Sequence, residues 1–206
     1  MRVGQRMVEI EGFVLAGGAS SRMGADKAGL GFDGETFVAR TARSLGTIAA
    51  RVSVVSSRPE HARFGLRVVP DVYANAGALG GIHAALAACR APWALIVSCD
   101  LPFASGDLFT RLASLAGKDV DAVAPVQTDG RVQPLCALYA PATCLPATGE
   151  LLAAGERRPR ALLRQLRTRW VAPVELSDLA HAELFFVNVN TPDDYERAKA
   201  TMNDER

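Results

Sequence analysis

The sequence predicts an α/β fold with a mostly parallel central sheet that is covered by helices on both faces. Short runs of β-branched and apolar residues alternate along the chain with amphipathic stretches, a pattern typical of successive βαβ units. One strand-like run, Ala94–Val97, is continuously apolar, as expected for a strand buried on both faces. No repeat, low-complexity tract or linker divides the 206 residues, so one domain is expected.

The elements follow from this alternation, taken in chain order. Runs rich in β-branched and aromatic residues predict strands at Gly12–Ala16, Arg51–Ser56, Leu66–Val69, Trp93–Ser98, Asp121–Pro125, Pro134–Tyr139, Trp170–Val174 and Leu184–Val187. Apolar residues at helical spacing predict helices at Phe37–Leu45, Ile82–Cys89, Asp107–Ala116, Ala142–Ala153, Pro159–Arg169 and Pro192–Met202. The last helix has start signals: Thr191 as N-cap, Pro192 at the first helical position, and Asp193 and Asp194 in the first turn.

Composition narrows the class of protein. Apolar residues make up 49% and charged residues 22% of the chain, and the net charge is +1, which argues against a nucleic-acid surface. The four cysteines form no CxxC pair, which favours free thiols in a reducing cytosol over a zinc site or disulfides. Neither a signal peptide nor a membrane-spanning run is present, so a cytoplasmic location is predicted. Residues 1–9 are predicted to form a flexible tail and residues 10–204 the globular part.

A glycine-rich segment follows the first predicted strand and reads LAGGASSRMGADKAGL from Leu15 to Leu30. Adjacent glycines, Gly17 and Gly18, let backbone N–H groups approach an anion, and Arg22 and Lys27 add two cations to the same loop. The segment is neither a Walker A loop nor a GxGxxG fingerprint. It predicts a phosphate-binding loop, the alternative being a strand-to-helix turn with solvated basic residues.

Two aspartates follow predicted strands, where ligands bind in parallel sheets. Asp100 ends an apolar strand, so its carboxylate could hold Mg²⁺ over substrate phosphates, or it could cap the next turn. Asp71 follows Pro70 and could accept hydrogen bonds from a base or ribose, although a turn-forming role is the simpler local interpretation.

Three further segments carry polar candidates. Gly80 and Gly81 could bring backbone close to a base or merely permit a tight turn, and His83 beside them is assigned no role. Asn188 and Asn190 alternate around Val189, so both amides point to one side and could bind a polar ring. One region of the chain is locally basic; its members are Arg157, Arg158, Arg160, Arg164, Arg167 and Arg169. Such a cluster suits a phosphate-bearing substrate or an acidic partner, and the alternative is a solvated helix face.

These segments, taken together, resemble the molybdenum cofactor guanylyltransferases, the MobA type of nucleotidyltransferase. The matching motifs are LAGG, RMG and DK in the glycine-rich segment, the Gly80–Gly81 pair, CDLP at 99–102, GERR at 155–158 and NVNTP at 188–192. They occur in the family's order and extend from about Phe13 to Tyr195. The first three mark the wider superfamily, whereas GERR and NVNTP narrow the resemblance to the guanylyl branch.

The resemblance implies a three-layer, Rossmann-like nucleotidyltransferase fold that transfers GMP from GTP to the terminal phosphate of molybdopterin and releases pyrophosphate. It implies Mg²⁺ as cofactor, with Asp100 as the metal ligand, and Arg22, Lys27 and Asp100 as the catalytic set. The residues expected to bind nucleotide or pterin are Leu15, Ala16, Gly17, Gly18, Lys27, Ser56, Asp71, Gly80, Asp100, Asn188 and Asn190. Expected partners are GTP and molybdopterin, with molybdoenzyme apoproteins or other proteins of the cofactor's biosynthesis as further partners, and neither nucleic acid nor membrane.

The chain departs from the family at one place. Members often carry an asparagine near the end of the second strand, where this chain reads VVSSR from Val54 to Arg58. Ser56, or a backbone group, would then donate the hydrogen bond to the nucleotide. Two alternatives are weighed against guanylyl transfer. A cytidylyl or other NTP transferase of the same fold is one, although the cytidylyl branch usually reads LAAG; a non-catalytic cofactor carrier is the other.

Overall fold

A seven-stranded sheet forms the centre of the protein in a computed structural model that describes residues 8–17, 29–32, 34–73 and 76–204. Gly18, Arg22 and Lys27 of the predicted phosphate loop lie outside the described residues. The strands are β1 (Ile10–Leu15), β2 (Gly31–Phe32), β3 (Glu35–Thr36), β4 (Arg51–Val55), β5 (Arg67–Val69), β6 (Trp93–Ser98), β7 (Ala122–Pro125), β8 (Cys136–Tyr139) and β9 (Thr168–Val171). The helices are α1 (Phe37–Leu45), α2 (Gly77–Ala88), α3 (Gly106–Ser114), α4 (Pro141–Ala153), α5 (Pro159–Gln165) and α6 (Pro192–Asp204).

The strand order in the large sheet is β5-β4-β1-β6-β8-β7-β9. β1 pairs in parallel with β4 and β6, β4 with β5, and β7 with β9. β8 is antiparallel to both of its neighbours, β6 and β7, and is the one reversed strand of this sheet. The carboxyl ends of the other six strands therefore lie at one edge, which confirms the predicted mostly parallel sheet.

Helices cover both faces of the sheet. Successive residues of a strand point to opposite sides, so one strand contributes side chains to the cores on both faces. In β6, Trp93, Leu95 and Val97 join a core beneath α1 and α3, whereas Ala94 and Ile96 join a core beneath α2, α4 and α5. The result is the three-layer arrangement that the sequence predicts. In the described part of the chain, no helix combines the length and apolar character needed to cross a membrane.

The predicted strand at Leu184–Val187 is wrong. Residues 182–184 form a 3₁₀ turn, and the N–H groups of Leu184 and Val187 bond to the carbonyls of His181 and Leu184 at 2.9 and 3.0 Å. These local bonds satisfy the backbone without a neighbouring strand. The apolar run is explained instead by Phe185, which is buried in the core.

The helix predicted at Pro159–Arg169 is too long, because it ends at Gln165. Asp121 accepts hydrogen bonds from the Arg167 backbone at 3.1 Å and from its guanidinium at 2.9 and 2.8 Å. This anchor brings the chain alongside β7, and β9 starts at Thr168 rather than at Trp170. A strand pairing distant in sequence thus overrides the local helical pattern.

Two further features differ from the prediction, and the first of them lies near the candidate site. α2 begins at Gly77 instead of Ile82, so its first turn reaches the carboxyl edge of the sheet. The hairpin of β2 and β3 was not predicted, since each strand has only two residues. It packs with α6, where the Tyr195 hydroxyl donates to the Gly31 carbonyl at 2.7 Å.

Candidate functional site

A cavity of about 560 Å³ opens at the carboxyl edge of the sheet, where β1, β4, β5 and β6 end beside the first turn of α2. This is the position at which parallel α/β sheets bind ligands. The predicted residues Leu15, Gly17, Ser56 and Asp71 are among its lining residues; the others are Val55, Ser57, Arg58, Ala76, Gly77, Ala78, Gly81, Ser98 and Leu135. Residues from several separate segments therefore form one site, as the sequence predicts.

The start of the glycine-rich loop forms one wall of this cavity. The Ala16 N–H donates to the Val55 carbonyl at 3.0 Å, which extends the β1–β4 ladder by one residue and brings Gly17 to the edge of the sheet. At Gly17 a Cβ would meet nothing within 4 Å, so the backbone there faces open space. A ligand can approach this backbone closely.

Ser56 forms the cavity floor at the end of β4. Its N–H donates to the Val69 carbonyl at 3.0 Å, and its hydroxyl oxygen accepts the Arg58 N–H at 3.0 Å. The side chain is 2% exposed, and its own O–H proton can still be donated to a ligand.

Asp71 and Gly80 meet at a close approach on the α2 side of the cavity. A Cβ at Gly80 would lie 3.1 and 3.3 Å from the two carboxylate oxygens of Asp71 and 2.7 Å from the Ala76 Cβ. Glycine is therefore required for the carboxylate to rest against the helix. The Tyr73 N–H donates to Asp71 Oδ1 at 3.1 Å, so the predicted turn-forming role of Asp71 exists alongside its place in the cavity wall.

Asp100 lies two residues beyond Ser98 in a turn that β1 and the C-terminal segment hold from both sides. The Cys99 N–H donates to the Leu15 carbonyl at 3.1 Å, and the Leu101 N–H donates to the Ser98 carbonyl at 3.3 Å. The Asp100 carbonyl accepts the Val189 N–H at 2.9 Å. This single bond brings the predicted metal ligand and the predicted pterin segment together, although 89 residues separate them in the sequence.

Val189 is buried, whereas Asn188 is exposed and Asn190 half-buried, which agrees with the predicted alternation. The Asn188 amide donates to the Phe186 carbonyl at 3.3 Å. Asp194 accepts the Asn190 N–H at 3.1 Å and donates its own N–H to the Thr191 hydroxyl at 3.1 Å, so the predicted N-cap is confirmed. Hydrogen bonds to the Asp194 carboxylate, first from the Thr191 side chain and then from Arg197 and the Asn190 N–H, lower the pKa of Asp194 to about 2.

A second cavity of about 530 Å³, which the sequence did not reveal, lies at the carboxyl ends of β7 and β9. Its lining is mostly apolar and comes from two loops: Val126, Gln127, Thr128, Asp129 and Arg131 on one side, and Pro173, Val174, Leu176, Ser177, Ala182, Glu183 and Phe186 on the other. The Gln127 amide donates to the Phe186 carbonyl at 3.5 Å, and its buried Oε1 has no hydrogen-bond partner among the described residues.

Each cavity has one lining residue that is close in the chain to Asp100 or to its partner Val189. Ser98, two residues before Asp100, lines the first, and Phe186, three residues before Val189, lines the second. Three residues span at most about 10 Å of extended chain, so the second cavity begins close to Asp100. No local sequence pattern could have shown this, because the lining residues come from loops that only the sheet order brings together.

The GERR segment is placed by the end of α4. Gly155 has a φ of +82°, and the Glu156 N–H donates to the Leu151 carbonyl at 2.9 Å, which closes a Schellman motif. Arg157 donates to the Leu152 carbonyl at 3.1 Å, and Arg158 forms a two-point pair with Glu156, whose pKa it lowers to about 2. The Arg157 carbonyl lies 3.9 Å from the Cβ position of Gly77, so this segment borders the first cavity.

The comparisons with known proteins agree with this architecture. A family model described as the MobA-like NTP transferase domain matches residues 12–170. A protein named "probable molybdenum cofactor guanylyltransferase" from Pelotomaculum thermopropionicum is 36% identical over 201 residues, 97% of each chain. A second protein of that name from a Geobacillus species is 31% identical and covers 92% of this chain and 98% of its own.

Among solved structures, molybdopterin-guanine dinucleotide biosynthesis protein A from Archaeoglobus fulgidus superimposes with a TM-score of 0.80 at 23% identity, covering 94% of this chain and 99% of the other. At that identity the likeness shows the fold alone. It agrees with the three-layer arrangement described above.

Proposed function

This chain belongs to the MobA-like NTP transferase family, and we propose that it transfers GMP from GTP to the terminal phosphate of molybdopterin, releasing pyrophosphate. The observation that carries the proposal is a pair of cavities at the carboxyl edge of the sheet, each with a lining residue close in the chain to Asp100 or to its partner Val189. A transferase that joins two large substrates needs two compartments that meet at the reacting atoms. The names of relatives that are 36% and 31% identical over nearly their whole lengths support guanylyl transfer.

We propose that the first cavity binds GTP. The backbone from Leu15 to Gly18 would approach the phosphates, with Arg22 and Lys27 supplying the positive charge that a triphosphate requires. Ser56 can donate one hydrogen bond, and Asp71 can only accept. Guanine and ribose both carry donors, so the carboxylate of Asp71 suits this nucleotide.

The second cavity suits the pterin. Its apolar walls match a planar fused ring, and the buried Oε1 of Gln127 offers an acceptor that a ring N–H could satisfy. Asn188 and Asn190 flank Val189, whose N–H bonds to the Asp100 carbonyl, and we propose that they contact a substrate that extends from the pterin toward the nucleotide. Arg157 and Arg158 remain candidates for its phosphate, although in the free protein both guanidiniums already bond within their own segment.

We also propose that Mg²⁺ acts here, held by Asp100. The donor set fits a hard cation, because Mg²⁺ takes oxygen ligands and usually needs only one or two protein carboxylates beside phosphate oxygens and water. Among the described residues, no cluster of three or more His, Cys, Asp or Glu could hold a metal, so a closed protein site is not formed there. When bound, the ion would neutralise phosphate charge and help to align the substrates.

The reaction needs alignment and charge neutralisation more than proton transfer. An oxygen of the pterin's terminal phosphate attacks the α-phosphorus of GTP, the bond from that phosphorus to the bridging oxygen breaks, and pyrophosphate leaves with the electron pair. The attacking oxygen is already anionic, so no general base is required. The cysteines fit no covalent role: Cys136 and Cys144 are buried, and burial raises the pKa of each thiol to about 12.

The experiment that tests this function measures pyrophosphate release with each of the four NTPs, with and without Mg²⁺, in the presence of molybdopterin. Release with GTP alone, and only with metal, is the expected result. Release with CTP instead would retain the fold and mechanism and assign the protein to cytidylyl transfer. No release with any nucleotide, while molybdopterin still binds, would indicate a cofactor carrier.

We further propose a single domain over residues 10–204 and a cytoplasmic location. The central sheet draws its strands from Ile10 to Val171, and α6 packs back on the β2–β3 hairpin, which supports one folding unit. None of the four cysteines, all of which are described, forms a disulfide, and this suits a reducing compartment. Proteins that supply the pterin or receive the product are the expected partners beyond the two substrates.

A further inference from the structure

Two aromatic rings meet behind the nucleotide cavity. The Tyr73 and His83 ring centroids are 4.8 Å apart with an interplanar angle of 80°, which is an edge-to-face contact. His83 lies on α2, one turn beyond Gly80, and Tyr73 follows Asp71 by two residues. The contact therefore joins the segment that carries Asp71 to the helix against which Asp71 rests.

The segment from Asp71 to Tyr73 is held on α2 at two points. The first is the close approach of the Asp71 carboxylate to Gly80, and the second is the ring contact with His83. Between them, the Tyr73 N–H donates to Asp71 Oδ1 at 3.1 Å, so a shift of Tyr73 would move the carboxylate. Tyr73 is 39% exposed even with this contact, so the His83 ring is an important part of what holds it in place.

The state of His83 suits this role. Its Nδ1 is buried with no hydrogen-bond partner among the described residues, and burial lowers the pKa of its imidazole against the opposing effect of the Asp71 charge. Burial therefore favours the neutral ring, which adds no positive charge beside the Asp71 carboxylate. A charged partner at this place would instead compete with the nucleotide for the carboxylate.

We infer that His83 and Tyr73 are a positioning pair that holds Asp71 in the cavity wall and thereby sets the affinity for the guanine nucleotide. The inference rests on the proposed function, since it assigns Asp71 to GTP. The two rings lie on the segments that carry Asp71 and Gly80, so we expect the pair to act on nucleotide binding and not on the chemical step. Losing it removes binding that the ground state and the transition state share, which raises KM and leaves kcat unchanged.

The test compares four variants in steady-state turnover and in equilibrium titration with GTP. His83→Ala and Tyr73→Ala are each expected to raise KM and Kd for GTP by about three- to tenfold, the range of an aromatic pair, with kcat within twofold. His83→Phe and Tyr73→Phe retain the ring contact and should retain both constants. The double alanine variant should be no worse than either single one, because the two side chains act through one contact.

Trp170→Ala is the matched control, because it removes a ring that is 37% exposed from β9, at the far edge of the sheet. It should leave the affinity for GTP unchanged. If His83→Ala destabilises the fold, Tyr73→Ala at the exposed position still decides the question.

Unchanged Kd for GTP in both alanine variants, or additive effects in the double variant, would overturn the positioning pair. If the wild-type protein still turns over GTP in that case, the proposed function stands without the pair. If the wild-type protein binds GTP but releases no pyrophosphate, the proposed transferase function is wrong while the positioning pair is still open to test. The Kd comparison would then still test the pair.

Discussion

Substitution of Gly80 by alanine tests most directly how the nucleotide wall is built. The added Cβ would lie 2.7 Å from the Ala76 Cβ and 3.1 and 3.3 Å from the Asp71 carboxylate oxygens. The first distance is shorter than real Cβ contacts allow, so the helix or its neighbour must shift. The other two require the carboxylate to retreat by a few tenths of an ångström.

Two opposing effects set the size of the change in stability. Alanine in a helix interior is favoured over glycine by about 0.5–1 kcal/mol, whereas overpacking a tight contact costs about 1–3 kcal/mol. A net loss of roughly 0–2.5 kcal/mol in the free energy of unfolding is therefore expected. The loss of nucleotide affinity should be larger, because a hydrogen bond to a charged group contributes about 1.5–3 kcal/mol, which corresponds to about a ten- to hundredfold rise in KM for GTP.

Gly149→Ala provides the control, since Gly149 lies inside α4 and a Cβ there would meet nothing within 4 Å. This variant should gain about 0.5–1 kcal/mol of stability and keep its KM. Both variants would be compared by urea denaturation and by pyrophosphate release over a range of GTP concentrations. If Gly80→Ala is stabilised as much as Gly149→Ala and binds GTP normally, the close approach between Asp71 and α2 has no functional meaning.

Three other expectations follow from the same structure. Asp100→Asn and Lys27→Ala should each abolish pyrophosphate release while circular dichroism stays unchanged, and near wild-type turnover in either would remove that residue from the phosphate–metal site. Hydrogen bonds from Arg167 lower the pKa of Asp121 to about 2. Their contribution to stability is therefore present above about pH 4 and is lost as the pH falls toward 2. Asp121→Asn should lower the free energy of unfolding by about 1–3 kcal/mol at pH 7, and thermal melts of this variant should depend less on acid pH. Thr191→Ala removes the cap of α6 and should cost about 1 kcal/mol in denaturant unfolding, and a change near zero would show that the other bonds around Asp194 suffice.

The sequence was informative wherever one local cause decides the structure. β6 was predicted with its observed bounds because Trp93–Ser98 is a short run rich in apolar and β-branched residues, which suits a strand that is buried on both faces. The N-cap at Thr191 was predicted because a hydroxyl, a proline and two acidic residues in a row satisfy the first N–H groups of a helix by themselves. Leu15, Gly17, Ser56 and Asp71 were assigned to the nucleotide site mainly through the family resemblance; all four line the first cavity, and their role in binding stays a prediction.

Prediction was wrong where distant contacts outweigh the local pattern. The stretch from Pro159 to Arg169 has a helical pattern throughout, yet Asp121 recruits Arg167 and turns the chain into β9. The apolar run at Leu184–Val187 looks like a strand in isolation, but the core takes Phe185 from a local turn instead. In both cases the deciding partner is remote in the sequence.

Fold class and the family were therefore determined by the sequence alone, because hydrophobic period and spaced motifs are local properties of a chain. Only the tertiary structure decided that Val189 bonds to Asp100, that Asp71 rests on Gly80 beside the Tyr73–His83 contact, and that a second cavity forms at the ends of β7 and β9. These features depend on strand order and loop packing. They arise when residues far apart in the chain are brought within a few ångströms, and no local pattern encodes such a distance.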